Sequence, residues 1–242
     1  VMTKRIWRDA GLPTAPFQSF QHADEPLDAR LTFPLFVKPA REGSGMGINA
    51  KSIVHNETEL RAQVDWVVRT YRQPALVETY LPGREFTVGI FGNRYRPGDP
   101  PRSAFYDADG YHVFPIEEID MSRAEIPGVY NTEAKGFAPV NVGGPQFHCP
   151  AELPEDVTAT IKALTVRAFE ALDALDVSRV DFRLDAAGAP QLVEINTLPG
   201  LRPEFSDMCI IANAEGVSYQ TLIAEILGLA LERYGLSADL AD

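Results

Sequence analysis

The most constraining feature of this sequence is a pair of strand-like segments joined by a short polar turn. Residues 178–184 and 190–196 alternate apolar and polar side chains, and the connection 185–188 ends in glycine. Because neighbouring side chains of a strand point to opposite faces, one face of this predicted hairpin is apolar. That face carries Val180, Phe182, Leu184, Val193 and Ile195. The pattern therefore predicts an antiparallel hairpin whose apolar face packs against a core.

The opposite face of the hairpin gathers polar side chains. Arg179 and Asp181 lie on the first strand, and Glu194 and Asn196 lie on the second. Two carboxylates and an amide oxygen are hard ligands suited to Mg²⁺, which also binds substrate phosphates. The adjacent arginine could stabilise negative charge in a transition state. The alternative is a solvated sheet face with ordinary salt bridges, and the pattern alone leaves both interpretations open.

Other parts of the chain mix strands and helices. Short β-rich segments at 35–38, 75–78 and 85–91 read as strands. The pair Asn56 and Glu59 is a helix-start signature. Long helices are predicted after Pro154, with Val157, Ile161, Leu164, Ala168, Leu172 and Leu175 on one face, and from Tyr219 to Tyr234. No strand is predicted between residues 92 and 131. The mixture predicts an α+β or α/β protein with a lobe boundary near residues 81–83.

A glycine-rich loop, 42–47, follows the strand that ends in Lys38. Glycines let backbone N–H groups approach a phosphate, and lysine supplies charge. The loop fits neither a P-loop nor a dinucleotide fingerprint, and a hairpin tip is the alternative. Lys135 is a second candidate phosphate contact, although a lone loop lysine is usually solvated. Glu78 and Glu85 flank a bend that could hold a purine and a ribose, or act as a hinge with two surface acids.

Composition excludes several classes of protein. The chain has 242 residues and a net charge of −12, and it has no cluster of Lys and Arg that could follow a nucleic-acid backbone. No apolar run approaches the ~20 residues of a membrane span. Cys149 and Cys209 lack a metal-binding spacing and predict two free thiols. Residues 4–10 read as the end of a helix, so we expect further sequence before Val1.

Taken in order, these segments resemble the D-alanine–D-alanine ligase family of the ATP-grasp superfamily. The resemblance spans nearly the whole chain and is more specific than any one motif. The matching segments are Ala10-Gly11-Leu12-Pro13, Val37-Lys38-Pro39-Ala40-Arg41-Glu42-Gly43-Ser44, Val77-Glu78, Gly83-x-Glu85-Phe86-Thr87-Val88, Glu133-Ala134-Lys135, Arg179-Val180-Asp181, and Glu194-Ile195-Asn196-Thr197-x-Pro199-Gly200.

The resemblance implies an ATP-grasp fold in which ATP lies between two α+β lobes, residues 1–81 and 82–242. The family's N-terminal substrate domain has no counterpart in this sequence. By the resemblance, Lys38, Ser44 and Lys135 would contact the phosphates, Glu78 with the backbone of Thr79 and Leu81 would hold adenine, and Glu85 would hold the ribose. Asp181, Glu194 and Asn196 would bind two Mg²⁺ ions, with Mn²⁺ as the alternative metal.

The implied reaction joins two amino acids through an acyl phosphate. Arg179, Lys135 and Ser44 would be catalytic, and Arg179, Gly200 and Ser206 would contact substrate. D-alanyl-D-alanine for peptidoglycan synthesis is the default product, in a cytoplasmic enzyme for which a homodimer is the candidate assembly. Two alternatives stay open, namely a ligase for other amino acids and a nucleotide-binding module without ligase activity.

This sequence departs from the family pattern at the substrate end. Gly136 follows Glu-Ala-Lys where the family usually has tyrosine, and Ser206 matches the family serine only with one inserted residue. Asp207 then replaces an apolar residue and would repel a substrate carboxylate nearby. The nucleotide chemistry therefore transfers better than the D-alanine specificity.

Overall fold

Two antiparallel sheets organise the part of the chain that the structure, a computed structural model, describes: residues 1–43, 45–95, 103–120, 122 and 146–236. The chain starts with helix α1 (Met2–Asp9). The smaller sheet has the strand order β1-β4-β2-β3. Its elements are β1 (Phe17–Phe20), β2 (Leu35–Pro39), β3 (Ile53–Val54), helix α2 (Glu57–Tyr71) and β4 (Ala75–Thr79). These elements confirm the strands predicted at 35–38 and 75–78.

Helix α2 begins as the sequence predicts. The Asn56 side chain accepts a hydrogen bond from the N–H of Glu59 at 3.0 Å, and the Glu59 carboxylate accepts one from the N–H of His55 at 2.8 Å. These bonds satisfy backbone donors that a helix start otherwise leaves unpaired. Leu60, Val64 and Val67 are fully buried against the smaller sheet. The helix therefore closes one side of that sheet and leaves the other side for a site.

The larger sheet has the strand order β7-β6-β5-β8-β9. Its strands are β5 (Glu85–Gly92), β6 (Tyr111–Asp120), β7 (Gln146–His148), β8 (Val177–Leu184) and β9 (Pro190–Asn196). Helix α3 (Glu155–Glu170) packs on one face, where the apolar side chains of the predicted hairpin meet it. Helices α4 (Asp207–Ala214) and α5 (Tyr219–Arg233) pack on the other face. The hairpin and the α+β class are confirmed.

Three details of the sequence interpretation were wrong. A β-bulge at Val193 puts Phe182 opposite Leu192, so Leu192 joins the core and Val193 lines a cleft. Helix α3 ends at residue 170, so Leu172 and Leu175 lie beyond it, and Leu175 is 50% exposed. Strand β6 lies in the segment where no strand was predicted.

The N-terminal helix packs against the core of the larger sheet. Trp7 is fully buried, and its indole N–H donates to the carbonyl of Ala168 in α3. Thr14 forms a parallel bridge with Leu192 of β9. A lobe boundary after residue 81 stays a prediction.

Two expectations from composition have structural counterparts. Cys149 and Cys209 are both free thiols, as the sequence predicted. Within the described residues, no helix is long and apolar enough to cross a membrane.

Candidate active site

A cleft of about 470 Å³ lies between the two sheets. One wall comes from β2, β4 and the glycine-rich loop, and the other comes from β8 and β9. The predicted site residues that line it are Lys38, Glu78, Thr79, Leu81, Glu85, Arg179, Asp181, Glu194 and Asn196. Side chains from distant parts of the sequence therefore share one concave surface, the usual form of a small-molecule site.

Four predicted site residues are not in that lining. Ser44 and Lys135 lie outside the described residues. Gly200 and Ser206 lie next to each other at the start of α4, where a Cβ on Gly200 would come 2.8 Å from the Ser206 hydroxyl oxygen. That hydroxyl accepts a hydrogen bond from the N–H of Arg202 at 3.0 Å. Their assignment as substrate contacts stays a prediction.

On the smaller-sheet side of the cleft, a buried lysine and a partly buried lysine both contact a buried glutamate. The Lys38 Nζ lies 2.7 Å from one carboxylate oxygen of Glu78, and the Lys4 Nζ lies 2.9 Å from the other. Burial would raise the pKa of Glu78, but the two lysines outweigh it and lower that pKa to about 2. Burial lowers the pKa of Lys4, whereas for Lys38 the pull of Glu78 exceeds the effect of burial and raises the pKa. This triad gives the wall a net positive charge.

Lys4 is a member of this site that the sequence analysis missed. It lies in α1, and its Nζ also donates to the hydroxyl of Thr14 at 2.7 Å. A lone lysine in a short helix resembles any solvated surface lysine, yet here it is 4% exposed. Its burial depends on α1 packing against the larger sheet, which local sequence does not reveal.

The Glu78 contacts predict a specific response to acid. Since its folded-state pKa lies below the ordinary 4.5, its stabilising contribution is complete above that pH and is lost as the pH falls toward about 2. Glu78→Gln should lower the free energy of unfolding at neutral pH by about 3–5 kcal/mol, because it leaves the positive charges of Lys4 and Lys38 without their shared carboxylate. The difference between the two proteins should then shrink below about pH 4.5. Urea unfolding over a pH series measures this, and a difference that is independent of pH would contradict the assignment.

On the larger-sheet side, the polar face of the hairpin converges as its pattern indicated. Asp181 pairs in register with Glu194, and Arg179 pairs with Asn196. The Asn196 amide donates to Asp181 at 3.3 Å and to Glu194 at 3.4 Å. No cluster of three or more His, Cys, Asp or Glu side chains suited to a metal occurs in the described part of the chain. The donor set consists of two carboxylates and one amide, which fits Mg²⁺ completed by water and phosphate oxygens.

Arg179 joins these carboxylates to a third acidic residue. Its guanidinium lies 3.1 Å from Asp181 and 2.7 Å from Asp207 at the start of α4. Burial would lower the pKa of Arg179, but Asp181 and Asp207 raise it above the ordinary arginine value. The guanidinium is therefore a fixed, fully ionised charge in the lining of the cleft.

A buried carboxyl group lies close to this ion-pair cluster. Glu117 on β6 is fully buried, and neither of its carboxyl oxygens has a hydrogen-bond partner among the described residues. Burial raises its pKa to about 8, with Asp207 and Asp181 adding to the shift and Arg179 opposing it. The sequence analysis missed Glu117 because it placed no strand in this segment.

The residues expected from the sequence to contact the base and the ribose also line the cleft. The Glu85 carboxylate is 3.6 Å from the guanidinium of Arg183, which also stacks over the Tyr80 ring at 5.5 Å. The N–H of Thr79 donates to the carbonyl of Pro16 and is therefore committed to the fold. Gly43, Gly45 and Met46 of the glycine-rich loop also line the cleft.

The chain resembles proteins of one family. A family model described as D-ala D-ala ligase C-terminus matches residues 6–228. An uncharacterised protein of Sinorhizobium fredii is 34% identical over 234 residues, which cover 97% of this chain and 62% of that protein. A D-alanine–D-alanine ligase of Nitrosococcus oceani is 33% identical, with 96% of this chain and 64% of the relative covered. The chain thus spans a little under two thirds of the length of these relatives.

Solved structures agree with the sequence comparison. The D-alanine–D-alanine ligase of Bacillus anthracis superimposes with a TM-score of 0.72 at 24% identity, over 97% of this chain and 67% of that one. The same enzyme complexed with ATP gives a TM-score of 0.71 at 23% identity, over 97% and 66%.

Together with these solved structures, the two antiparallel sheets and the cleft between them identify the ATP-grasp fold. Within that class, the chain belongs to the D-alanine–D-alanine ligase C-terminal family. The resemblance found from the sequence motifs is thereby confirmed.

Proposed function

We propose that this chain is the nucleotide-binding and catalytic part of an ATP-dependent ligase that joins a carboxylate to an amine. The observation that carries the proposal is the division of charge across the cleft. Two lysines lie on one wall and the carboxylates of the hairpin lie on the other. Cations suit the phosphates of ATP, and carboxylates suit the Mg²⁺ that accompanies them. Family membership supports the same reaction class.

ATP would lie with its phosphates toward Lys4 and Lys38 and its base toward Tyr80 and Leu81. Asp181, Glu194 and Asn196 would hold two Mg²⁺ ions, or Mn²⁺ in their place, and bound metal would neutralise charge on the phosphates. Catalysis then depends on positioning and on electrostatic stabilisation. Ser44 and Lys135 remain proposed phosphate contacts from the motif resemblance. Glu78 would have two roles. It would position Lys4 and Lys38 through its ion pairs with them, and it would contact adenine.

The proposed reaction has two steps. A substrate carboxylate oxygen attacks the γ-phosphorus, the bond between that phosphorus and the bridging oxygen breaks, and ADP leaves. The neutral amine of the second substrate then attacks the carbonyl carbon of the acyl phosphate. The C–N bond forms, the carbon–oxygen bond to phosphate breaks, inorganic phosphate leaves, and the amine nitrogen releases a proton. The guanidinium of Arg179 would stabilise the tetrahedral oxyanion of this second step.

Trapping of the acyl phosphate tests this function. The full-length protein, ATP and Mg²⁺ are incubated with single D- and L-amino acids and hydroxylamine, and the hydroxamate is identified by mass spectrometry. We expect a hydroxamate with at least one amino acid, together with stoichiometric ADP. Tight ATP binding without any hydroxamate would favour the nucleotide-binding module instead.

Lys38→Ala should weaken ATP binding. Loss of one charge-assisted hydrogen bond is expected to cost roughly 1.5–3 kcal/mol, which corresponds to about 10- to 150-fold in Kd. Lys51→Ala removes an exposed lysine outside the cleft and is the matched control. Calorimetric titration with ATP measures both. An unchanged affinity in the Lys38 variant would argue against a phosphate contact there.

A D-alanine–D-alanine ligase that supplies peptidoglycan synthesis is the default form of this proposal. The relatives named for that activity are the main support. Amino acid substrates, a homodimer and a cytoplasmic location are likewise proposals from the family.

A further inference from the structure

The ion-pair cluster around Arg179 and Asp181, two residues that line the cleft, contains more carboxyl groups than cations among its described members. We call Glu117, Arg179, Asp181 and Asp207 the acidic pocket. Among these four residues one guanidinium faces three carboxyl groups, and it already contacts Asp181 and Asp207. Glu117 is left without a hydrogen-bond partner among the described residues, although it is fully buried. Buried polar groups are almost always paired, so the unpaired carboxyl points to a missing partner.

Strand register places the members of the pocket on one face of the larger sheet. Glu117 lies opposite Thr87, and Thr87 lies opposite Asp181. The Thr87 hydroxyl donates to Asp181 at 2.6 Å. Helix α4 covers this face, because the side chain of Met208 packs directly against Gly89. A Cβ atom added to Gly89 would lie 2.8 Å from that side chain. Asp207 therefore belongs to the helix that covers the sheet, and Glu117 belongs to the sheet itself.

The neighbouring residue, Glu118, does not share the unpaired state of Glu117. Glu118 pairs with Arg84, whose Nε lies 2.6 Å from its carboxylate, and Arg84 also contacts the carbonyl of Glu152. The Glu118 carboxylate therefore has a cationic partner, Arg84, which lies outside the acidic pocket.

The acidic pocket is unsuited to binding a substrate carboxylate. It would lie near the Asp207 carboxylate, and two negative charges placed together at a binding site repel each other. The only guanidinium of the pocket is already held by two carboxylates. An ammonium group would instead supply the hydrogen-bond donor that the buried Glu117 carboxyl group lacks.

We propose, as an extension of the ligase function above, that the second substrate is a diamine-like compound whose non-reacting ammonium lies against Glu117 and Asp207. Its other nitrogen, in the neutral form, attacks the acyl phosphate beside Arg179. The C–N bond forms, phosphate leaves with the electrons of the broken carbon–oxygen bond, and the attacking nitrogen releases one proton. The product is an amide with a free ammonium group in place of the carboxylate that a dipeptide would carry.

Competition between two acceptors that share a carbon skeleton tests this inference. The full-length protein is supplied with ATP, Mg²⁺ and the amino acid that gave a hydroxamate, together with equal concentrations of D-alanine and 1,2-diaminopropane. Mass spectrometry then gives the ratio of the two amide products. We expect the diamine product to exceed all carboxylate-bearing products by about tenfold or more. Glu117→Gln and Asp207→Asn should each reduce that ratio by about tenfold or more.

Glu118→Gln is the matched control, because it removes the neighbouring charge outside the pocket, and it should leave the ratio unchanged. Preference of the wild-type protein for D-alanine, or a ratio that neither pocket variant alters, overturns the inference while the ligase function stands. If no amino acid gives a hydroxamate, the ligase proposal fails. The cation site is then tested separately, by calorimetric titration with 1,2-diaminopropane. Binding of 1,2-diaminopropane that weakens about tenfold in Glu117→Gln supports the cation site, and absence of binding overturns it. Melting temperatures confirm that each variant is folded.

Discussion

Replacing Glu194 by glutamine is expected to reduce Mg²⁺-dependent phosphate release to background while the protein stays folded. Glu194 pairs in register with Asp181 and receives a hydrogen bond from Asn196, so its carboxylate lies within the proposed donor set. Glutamine keeps the shape and removes the charge. The loss should exceed the roughly 10- to 100-fold that is typical when a residue behind the metal ligands is changed.

Steady-state phosphate release over a Mg²⁺ titration measures the Glu194 effect. Glu155→Gln, an exposed glutamate at the start of α3, is the control for loss of one negative charge elsewhere. Part of the lost activity should return at higher metal concentration if the defect lies in metal binding. Wild-type turnover in Glu194→Gln would remove the metal assignment from the hairpin.

Arg179→Ala should lower kcat by about 10²–10³ and also destabilise the protein. The catalytic part follows from loss of one oxyanion donor, whose effect appears in kcat more than in ground-state binding. The stability part follows from the ion pairs, because removal of Arg179 leaves Asp181 and Asp207 without their common cation. Breaking a buried ion pair costs about 3–5 kcal/mol.

Turnover per folded molecule separates the two roles of Arg179. Calorimetry should give an ATP affinity near that of the wild type, and chemical unfolding should report the lost stability. Arg179→Lys keeps the positive charge without the planar fork, so it should recover more stability than kcat. Normal kcat in a destabilised alanine variant would leave Arg179 with a structural role alone.

The hairpin and the first turn of α2 could be predicted because their determinants are local. Alternation places Arg179 and Asp181 on one strand face, and this parity survives whatever packs against the sheet. The β-bulge nevertheless places Leu192, and not Val193, in the core. One extra residue in a strand reverses which side chains face the core on the far side of the bulge. Asn56 caps its helix through a bond that spans three residues.

Strand β6 was missed for a physical reason, and helix α4 was not predicted either. Strand β6 contains Pro115 and two adjacent glutamates, a composition that argues against a strand, and pairing with β5 on one side and β7 on the other overrides it. The missed elements carry residues that alter the chemistry of the site. Glu117 comes from β6, and Asp207 comes from α4.

By itself, the sequence determined the family, the α+β class and the polar face of the hairpin, because these depend on motifs and on side-chain alternation along the chain. Only the tertiary structure decided which charges meet. Lys4 contacts Glu78, which lies 74 residues later in the sequence, and Glu117 of β6 lies near Arg179 of β8 with strand β5 between them. Electrostatic pairing depends on distances of a few ångströms and on burial, and both arise only when separate elements pack together.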